Sequence, residues 1–152
     1  MRDESGDNFS IQAENGSFEL TINDVFDYPE KTCYWGGYDT FSAVEIKSSN
    51  YTAKGQINIS TGEIYEFYKQ LQECYTTLEG KALLTSHEKN LEMIMTFNGK
   101  GHIKINGIFK AHHNIANALF FELNTDQSYL HETLKSLKNV YRKYGDNSGV
   151  SH

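Results

Sequence analysis

Ser60–Gly80, STGEIYEFYKQLQECYTTLEG, decides how this chain must fold. Ser60 and Glu63 stand three apart, the spacing of a capping box. The Ser hydroxyl takes an unpaired N–H at the helix start, and the Glu carboxylate reaches back to the cap's own N–H. Apolar residues recur at Ile64, Phe67, Tyr68, Leu71, Tyr75 and Leu78. Those steps of three and four lie on one face of a helix of about four to five turns. Glu66, Lys69, Gln70 and Glu73 fall elsewhere on the wheel and stay solvated. Gly80 is placed to take the left-handed conformation just past the helix end. Such a helix is not stable by itself and needs a sheet against its apolar stripe.

Strands are therefore expected on both sides of it. Upstream, Phe9–Gln12 and Ser17–Ile22 flank the turn pair Asn15-Gly16 and predict a hairpin. Phe41–Lys47 and Tyr51–Ile59 alternate around the turn Ser48-Ser49-Asn50, with Gly55 hinting at a bulge. Downstream, Lys81–Ser86 is a candidate strand. Leu91–Phe97 and His102–Lys110 form a further hairpin around Asn98–Gly101. Ala118–Leu123 carries large residues on both faces, which predicts a central strand covered twice. A second helix is expected from Thr125-Asp126, with Leu130, Leu134, Leu137, Val140, Tyr141 and Tyr144 at helical spacing and Gly145 as its stop.

The expected fold class is α+β, a single domain with a mostly antiparallel sheet of seven or eight strands, curved or sandwich-like, packed with two helices. Residues 1–8 and 146–152 read as flexible tails around a domain at 9–145. The similar helix starts, STGE and NTDQ, fit either a faint duplication or two separate uses of the same cap chemistry.

The length of 152 residues is enough for one core without staples. Hydrophobic content is a modest 38%, offset by ten Tyr, nine Phe and one Trp. The net charge of −6 is unevenly spread. Residues 1–50 hold ten acids against Arg2, Lys31 and Lys47, a net of −7, which leaves +1 for the rest. That disfavours direct nucleic-acid binding by the N-terminal third and favours a cationic partner there, or serves solubility alone. No apolar run approaches the 18 or so residues of a membrane span, and MRDESGDNFS lacks the apolar core of a secretory signal. Cys33 and Cys74 are too few for a disulfide scaffold, so reduced thiols in the cytoplasm are expected, with a single Cys33–Cys74 bridge as the alternative.

No catalytic constellation emerges. A glycine-rich phosphate loop, a zinc helix and a nucleophile elbow are all missing. Neighbouring strand residues point opposite ways, so His112 and His113 make a poor metal pair. His131 reads as partly buried and hydrogen-bonded, and His87 and His102 as exposed near turns. Glu63 is spent as a cap, and nothing pairs Glu66 with Glu73 across a cleft. The expectation is a non-enzyme with no metal and no cofactor.

The unusual segment is Asn23–Thr40, NDVFDYPEKTCYWGGYDT. It holds the only Pro, a Gly-Gly pair and no period, and it is long for a loop in a small domain. Asp24, Asp27, Glu30 and Asp39 alternate with Phe26, Tyr28, Tyr34, Trp35 and Tyr38. Tyr and Trp are efficient binding anchors, and carboxylates around them steer a basic protein. The candidate binding residues are Asp24, Asp27, Tyr28, Glu30, Tyr34, Trp35, Tyr38 and Asp39. Phe26 reads as more structural than Trp35 or Tyr38. The competing reading folds Trp35 and some of the tyrosines back to cap the sheet, and a small-ligand or carbohydrate-binding β-rich domain is the functional alternative.

Several phrases also form a familiar order. Tyr51 and Gly55 lead to Ser60-Thr61-Gly62-Glu63, and the aromatic helix ends Leu78-Glu79-Gly80-Lys81-Ala82. A Met-rich strand and the Gly101–Gly107 strand follow, then Phe120-Phe121-Glu122 and Thr125-Asp126-Gln127-Ser128-Tyr129-Leu130. Across roughly residues 17–144 the chain resembles the small bacterial immunity proteins of the WapI-like kind. The resemblance implies a cytoplasmic inhibitor from a polymorphic-toxin or contact-dependent growth inhibition system. It would bind the C-terminal domain of one cognate toxin, often a nuclease, and block its active site. No contact residue is carried over from that family.

Overall fold

The computed structural model describes residues 6–112 and 115–150. The outer parts of both expected tails, and His113, lie outside the described residues. The order is β1 (Asn8–Ala13), β2 (Gly16–Val25), β3 (Asp39–Ser48), β4 (Tyr51–Ser60), α1 (Thr61–Thr77), β5 (Glu79–Thr85), β6 (Leu91–Asn98), β7 (His102–Phe109) and β8 (Leu119–Asp126). A 3₁₀ turn (Gln127–Tyr129) then leads into α2 (Leu130–Tyr144). The fold is α+β, as the pattern predicts. The strands form two separate antiparallel sheets, β1-β2-β3-β4 and β5-β6-β7-β8, each joined in simple sequence order. Both halves of the chain thus follow one plan, four strands and then a helix.

Alternation explains which face of each strand is buried. Phe18, Leu20 and Ile22 of β2, Val44 and Ile46 of β3, and Ile57 and Ile59 of β4 point inward from the first sheet. Met93 and Met95 of β6, Ile103 and Ile105 of β7, and Leu123 of β8 do so from the second. They share one core with Ile64, Phe67 and Leu71 of α1 and Leu130, Leu137 and Val140 of α2. Each fully buried side chain of this size contributes about 1.5–3 kcal/mol, so the stripe of α1 is what fixes the helix to the sheets.

The sheet edges are managed by other elements. Gln70 Oε1 of α1 accepts from Leu83 N–H on β5 at 2.8 Å. The β1–β2 turn docks on β8: Glu14 N–H donates to the Asn124 carbonyl, and the Asn15 side chain bonds Glu122 and Asn124 like a short added strand. β8 is therefore an edge strand and not the central strand its composition suggests. Phe121 and Leu123 face the core, while Phe120 is 77% exposed.

Other boundaries shift for local reasons. The first turn is Glu14-Asn15, with Ala13 paired to Gly16, because a Cβ at Gly16 would strike the Lys47 carbonyl. β4 is regular at Gly55, which pairs with Val44; the glycine makes room for the Phe109 ring. The irregularity lies between Ile22 and Asp24 on β2. Leu78 takes the left-handed conformation that ends α1 (φ 61°), and Gly80, two residues on and already in β5, also has a positive φ of 100°. α2 starts at Leu130, later than expected, since Thr125 and Asp126 still pair with β7. Ser86 and Asn90 hold the β5–β6 turn through a buried side-chain bond of 2.8 Å.

Candidate interaction surface

Residues 26–38 leave the first sheet between β2 and β3 and settle on the start of α1. A helix start leaves amide N–H groups without partners, and here the loop provides acceptors. Thr61 N–H donates to the Tyr38 carbonyl at 2.8 Å and Gly62 N–H to the Gly36 carbonyl at 3.2 Å. Glu63 N–H goes to Ser60 Oγ at 3.0 Å, and Glu63 Oε1 accepts from Ser60 N–H at 2.9 Å, which closes the predicted capping box. In return Thr61 Oγ1 accepts from Tyr38 N–H, and Ser60 Oγ donates to the Trp35 carbonyl. The Gly36-Gly37 pair permits this close approach: a Cβ on Gly37, at φ 62°, would lie 2.2 Å from Thr61 Oγ1.

The segment after α2 holds the other side. Gly37 N–H donates to the Asn147 carbonyl at 2.8 Å, and the Asn147 amide donates to Glu66 on α1. Val150 N–H donates to Tyr38 Oη, which itself donates to the Pro29 carbonyl. Residues 146–150, expected as a loose tail, are thus part of the loop's support. Tyr28 packs edge-on against both Tyr38 and Tyr144, and its hydroxyl donates to the Lys143 carbonyl.

A second cluster sits beside Trp35. Its indole stacks on the His87 imidazole with centroids 4.7 Å apart and planes 7° from parallel. Tyr34 meets the indole edge-on at 4.8 Å. His87 Nδ1 lies 2.8 Å from Glu63 Oε1, and Nε2 lies 3.7 Å from Asp39 Oδ1. The His87 side chain is only 7% exposed, which corrects the expectation of a solvated turn histidine. His131, by contrast, is exposed, where a partly buried residue was expected.

Among the predicted residues, Asp24, Asp27, Tyr28, Glu30, Tyr34 and Trp35 are exposed, and Asp39 is partly so. Tyr34 is the most open at 91%, and Trp35 stands at 47%. Tyr38 is 1% exposed and serves as the pillar under the loop, with no surface to offer a partner. Phe26, expected to be more structural than Trp35 or Tyr38, is about as exposed as Trp35 and far more so than the buried Tyr38. Its neighbour in the ladder explains this: Phe26 N–H pairs with the Asp39 carbonyl at the end of β2, so its side chain stays with the solvated face. Sequence reasoning missed His87 and Asn147. They come from elements distant in the chain, and no spacing signals either.

Cys33 and Cys74 are both free thiols. Burial pushes the Cys33 thiol above its ordinary value; the Trp35 backbone N–H works against this, and the Asp39 and Glu63 carboxylates add to the rise. Among the described residues no three His, Cys, Asp or Glu side chains come together as a metal site. No described helix is long and apolar enough to cross a membrane.

What this arrangement offers is a fixed platform of carboxylates and aromatic rings. A search of curated proteins finds no match. A family model, by contrast, covers residues 9–145, nearly the whole described span, and its description is Immunity protein WapI-like family. With two four-stranded sheets, two helices and this match along its length, the chain belongs to the WapI-like immunity protein family.

Proposed function

We propose that the protein neutralises a cognate toxin domain by seating the segment 24–39 over that domain's active site. Membership of an immunity family supplies the toxin partner. One observation carries the choice of surface: exposed Asp24, Asp27, Glu30, Tyr34 and Trp35 stand on a backbone pinned to α1 and to residues 146–150. A pinned loop loses little further entropy on binding, so its contacts go into affinity. Aromatic anchors among carboxylates suit a cationic partner. Enzymes that cleave nucleic acid bind phosphates with Lys and Arg, so a nuclease such as an RNase fits this surface. The protein then acts by occlusion, in the cytoplasm of the cell that makes it, without chemistry of its own.

The test is binding to the toxin domain encoded immediately upstream. Trp35→Ala is expected to weaken the complex by about 2 kcal/mol or more, roughly 30-fold. Reversing Asp27 and Glu30 to Lys should slow association about tenfold at low salt, with the gap closing as salt rises. If all three changes leave binding and protection at the parent level, the surface is wrongly assigned.

A further inference from the structure

We propose that His87 is the positioning residue for Trp35, the clamp that fixes the indole in the orientation the loop presents. This rests on reading the loop as the binding surface, and it adds a residue from outside the loop to that surface.

The geometry builds the clamp in three steps. First, the β5–β6 turn is rigid. Ser86 Oγ donates to Asn90 Oδ1 at 2.8 Å and accepts from Leu91 N–H at 3.2 Å, and Lys89 N–H closes back on the Ser86 carbonyl. The backbone under His87 is therefore set before the loop is considered. Second, the imidazole is fixed in its own plane. A carboxylate only accepts, so the 2.8 Å contact with Glu63 Oε1 places a proton on Nδ1. Glu63 is itself held by Ser60 N–H at the helix cap, and Asp39 Oδ1 stands near the other ring nitrogen. Third, the exposed face of that fixed ring is where Trp35 lies, 4.7 Å away and within 7° of parallel.

The Trp35 backbone is held at its carbonyl by Ser60 Oγ and at its N–H by the Cys33 thiol, and these ties fix the backbone only. Among the described residues, the indole's other ring contact is the edge-on Tyr34, which is itself 91% exposed. The orientation of the loop's largest anchor therefore depends on a side chain more than fifty positions later in the chain.

Trp35 is the only tryptophan, so its fluorescence reports this contact directly on the free protein. The variants are His87→Ala, which removes the ring, and His87→Phe, which restores a flat partner without the Glu63 bond. Trp35 is 47% exposed in the clamp, so His87→Ala is expected to raise its acrylamide quenching constant about twofold as the covered face opens. His87→Phe should bring it back toward the parent value. A His87→Ala protein that is folded by far-ultraviolet circular dichroism, yet quenches like the parent, overturns the proposal. So does a folded His87→Phe protein that is as open as His87→Ala. Should His87→Ala fail to fold, His87→Leu keeps bulk at the position and loses only the flat partner. It is expected to raise quenching by a smaller factor, and no change would again refute the clamp. These readings need no toxin. If Trp35 opens while the upstream toxin domain still binds at parent strength, the clamp stands and the loop's binding role falls.

Discussion

Replacing Gly62 with Ala sets two rules against each other. In a helix Ala is favoured over Gly by about 0.8–1 kcal/mol, so propensity alone predicts a more stable protein. The packing predicts the opposite. A Cβ at Gly62 would stand 2.5 Å from the Gly36 carbonyl carbon, 2.6 Å from its oxygen and 2.6 Å from Asn147 Oδ1. Two of the three are backbone atoms that cannot rotate away. Loop and helix must separate, which costs the Gly62 N–H to Gly36 hydrogen bond, about 1 kcal/mol. Overpacking adds about 1–3 kcal/mol. Against the propensity gain, the net is a loss of about 2 kcal/mol. With a urea dependence near 2 kcal/mol per molar for a chain this size, the midpoint should fall by about 1 M. The assay is urea unfolding followed by far-ultraviolet circular dichroism, with Trp35 fluorescence as a local probe of the lifted loop. A midpoint equal to or above the parent's would show that the loop yields freely, and the pinned-platform argument would fail with it.

Cys33 should alkylate slowly at pH 8, because burial and then the Asp39 and Glu63 charges keep its thiol protonated. Asp39→Asn should speed that reaction by removing one of those charges, and an unchanged iodoacetamide rate would contradict the assignment. Hydrogen bonds from the Ser128 side chain and amide hold Asp126 below the usual aspartate range, so its contribution to stability is present above that range and lost as pH falls through the lowered value. The difference in urea midpoint between the parent and Asp126→Ala should thus narrow toward pH 3, and a constant gap across that range would refute it. Phe120→Thr, on the exposed side of the β8 edge, should stay within about 0.5 kcal/mol of the parent in chemical unfolding. Phe121→Ala should lose about 3–5 kcal/mol, since that ring is buried over Gly107; equal losses at the two positions would return β8 to the centre of a sheet.

The sequence made the framework legible because its signals are local. The Ser60–Glu63 cap and the stripe through Phe67 and Leu71 depend only on near neighbours, and both form as read. Alternation placed the eight strands within a few residues. It failed where tertiary position decides. Phe120 and Phe121 look alike in a strand pattern, and only the sheet order makes one an outer residue of an edge. The candidate surface shows the same division. Composition identified the segment that stands out, but it could not distinguish Tyr38, which props the loop from below, from Tyr34, which lies open. That difference is made by Pro29, Thr61 and Val150, residues brought to Tyr38 by the fold. His87 was misplaced for the same reason: a turn histidine is solvated by default, and nothing near it in the chain announces the Glu63 carboxylate.

The two halves of the molecule share a plan and differ in one connection. The β6–β7 link is three residues long, whereas the equivalent β2–β3 link runs from 26 to 38. Ordering so long a segment costs roughly 1–2 kcal/mol per residue in backbone entropy, far more than a tight turn would. That cost needs compensation from outside the loop, and the compensating groups can be named. The loop carbonyls of Gly36 and Tyr38 satisfy amides that the start of α1 would otherwise leave bare, and Asn147 takes the Gly37 N–H. Each bond solves a problem for both partners, since the helix would need a cap and the loop would need acceptors and donors in any case. Asp39, opposite Ser60 in the ladder, also stands near the positive end of the α1 dipole, a further favourable contribution of a few tenths to 1 kcal/mol where exposure is partial. A loop that served only to connect strands would be shortened at no loss to the core. This one is long, fixed by its neighbours and furnished on its open side with carboxylates and rings, which is the physical argument for proposing the toxin contact there.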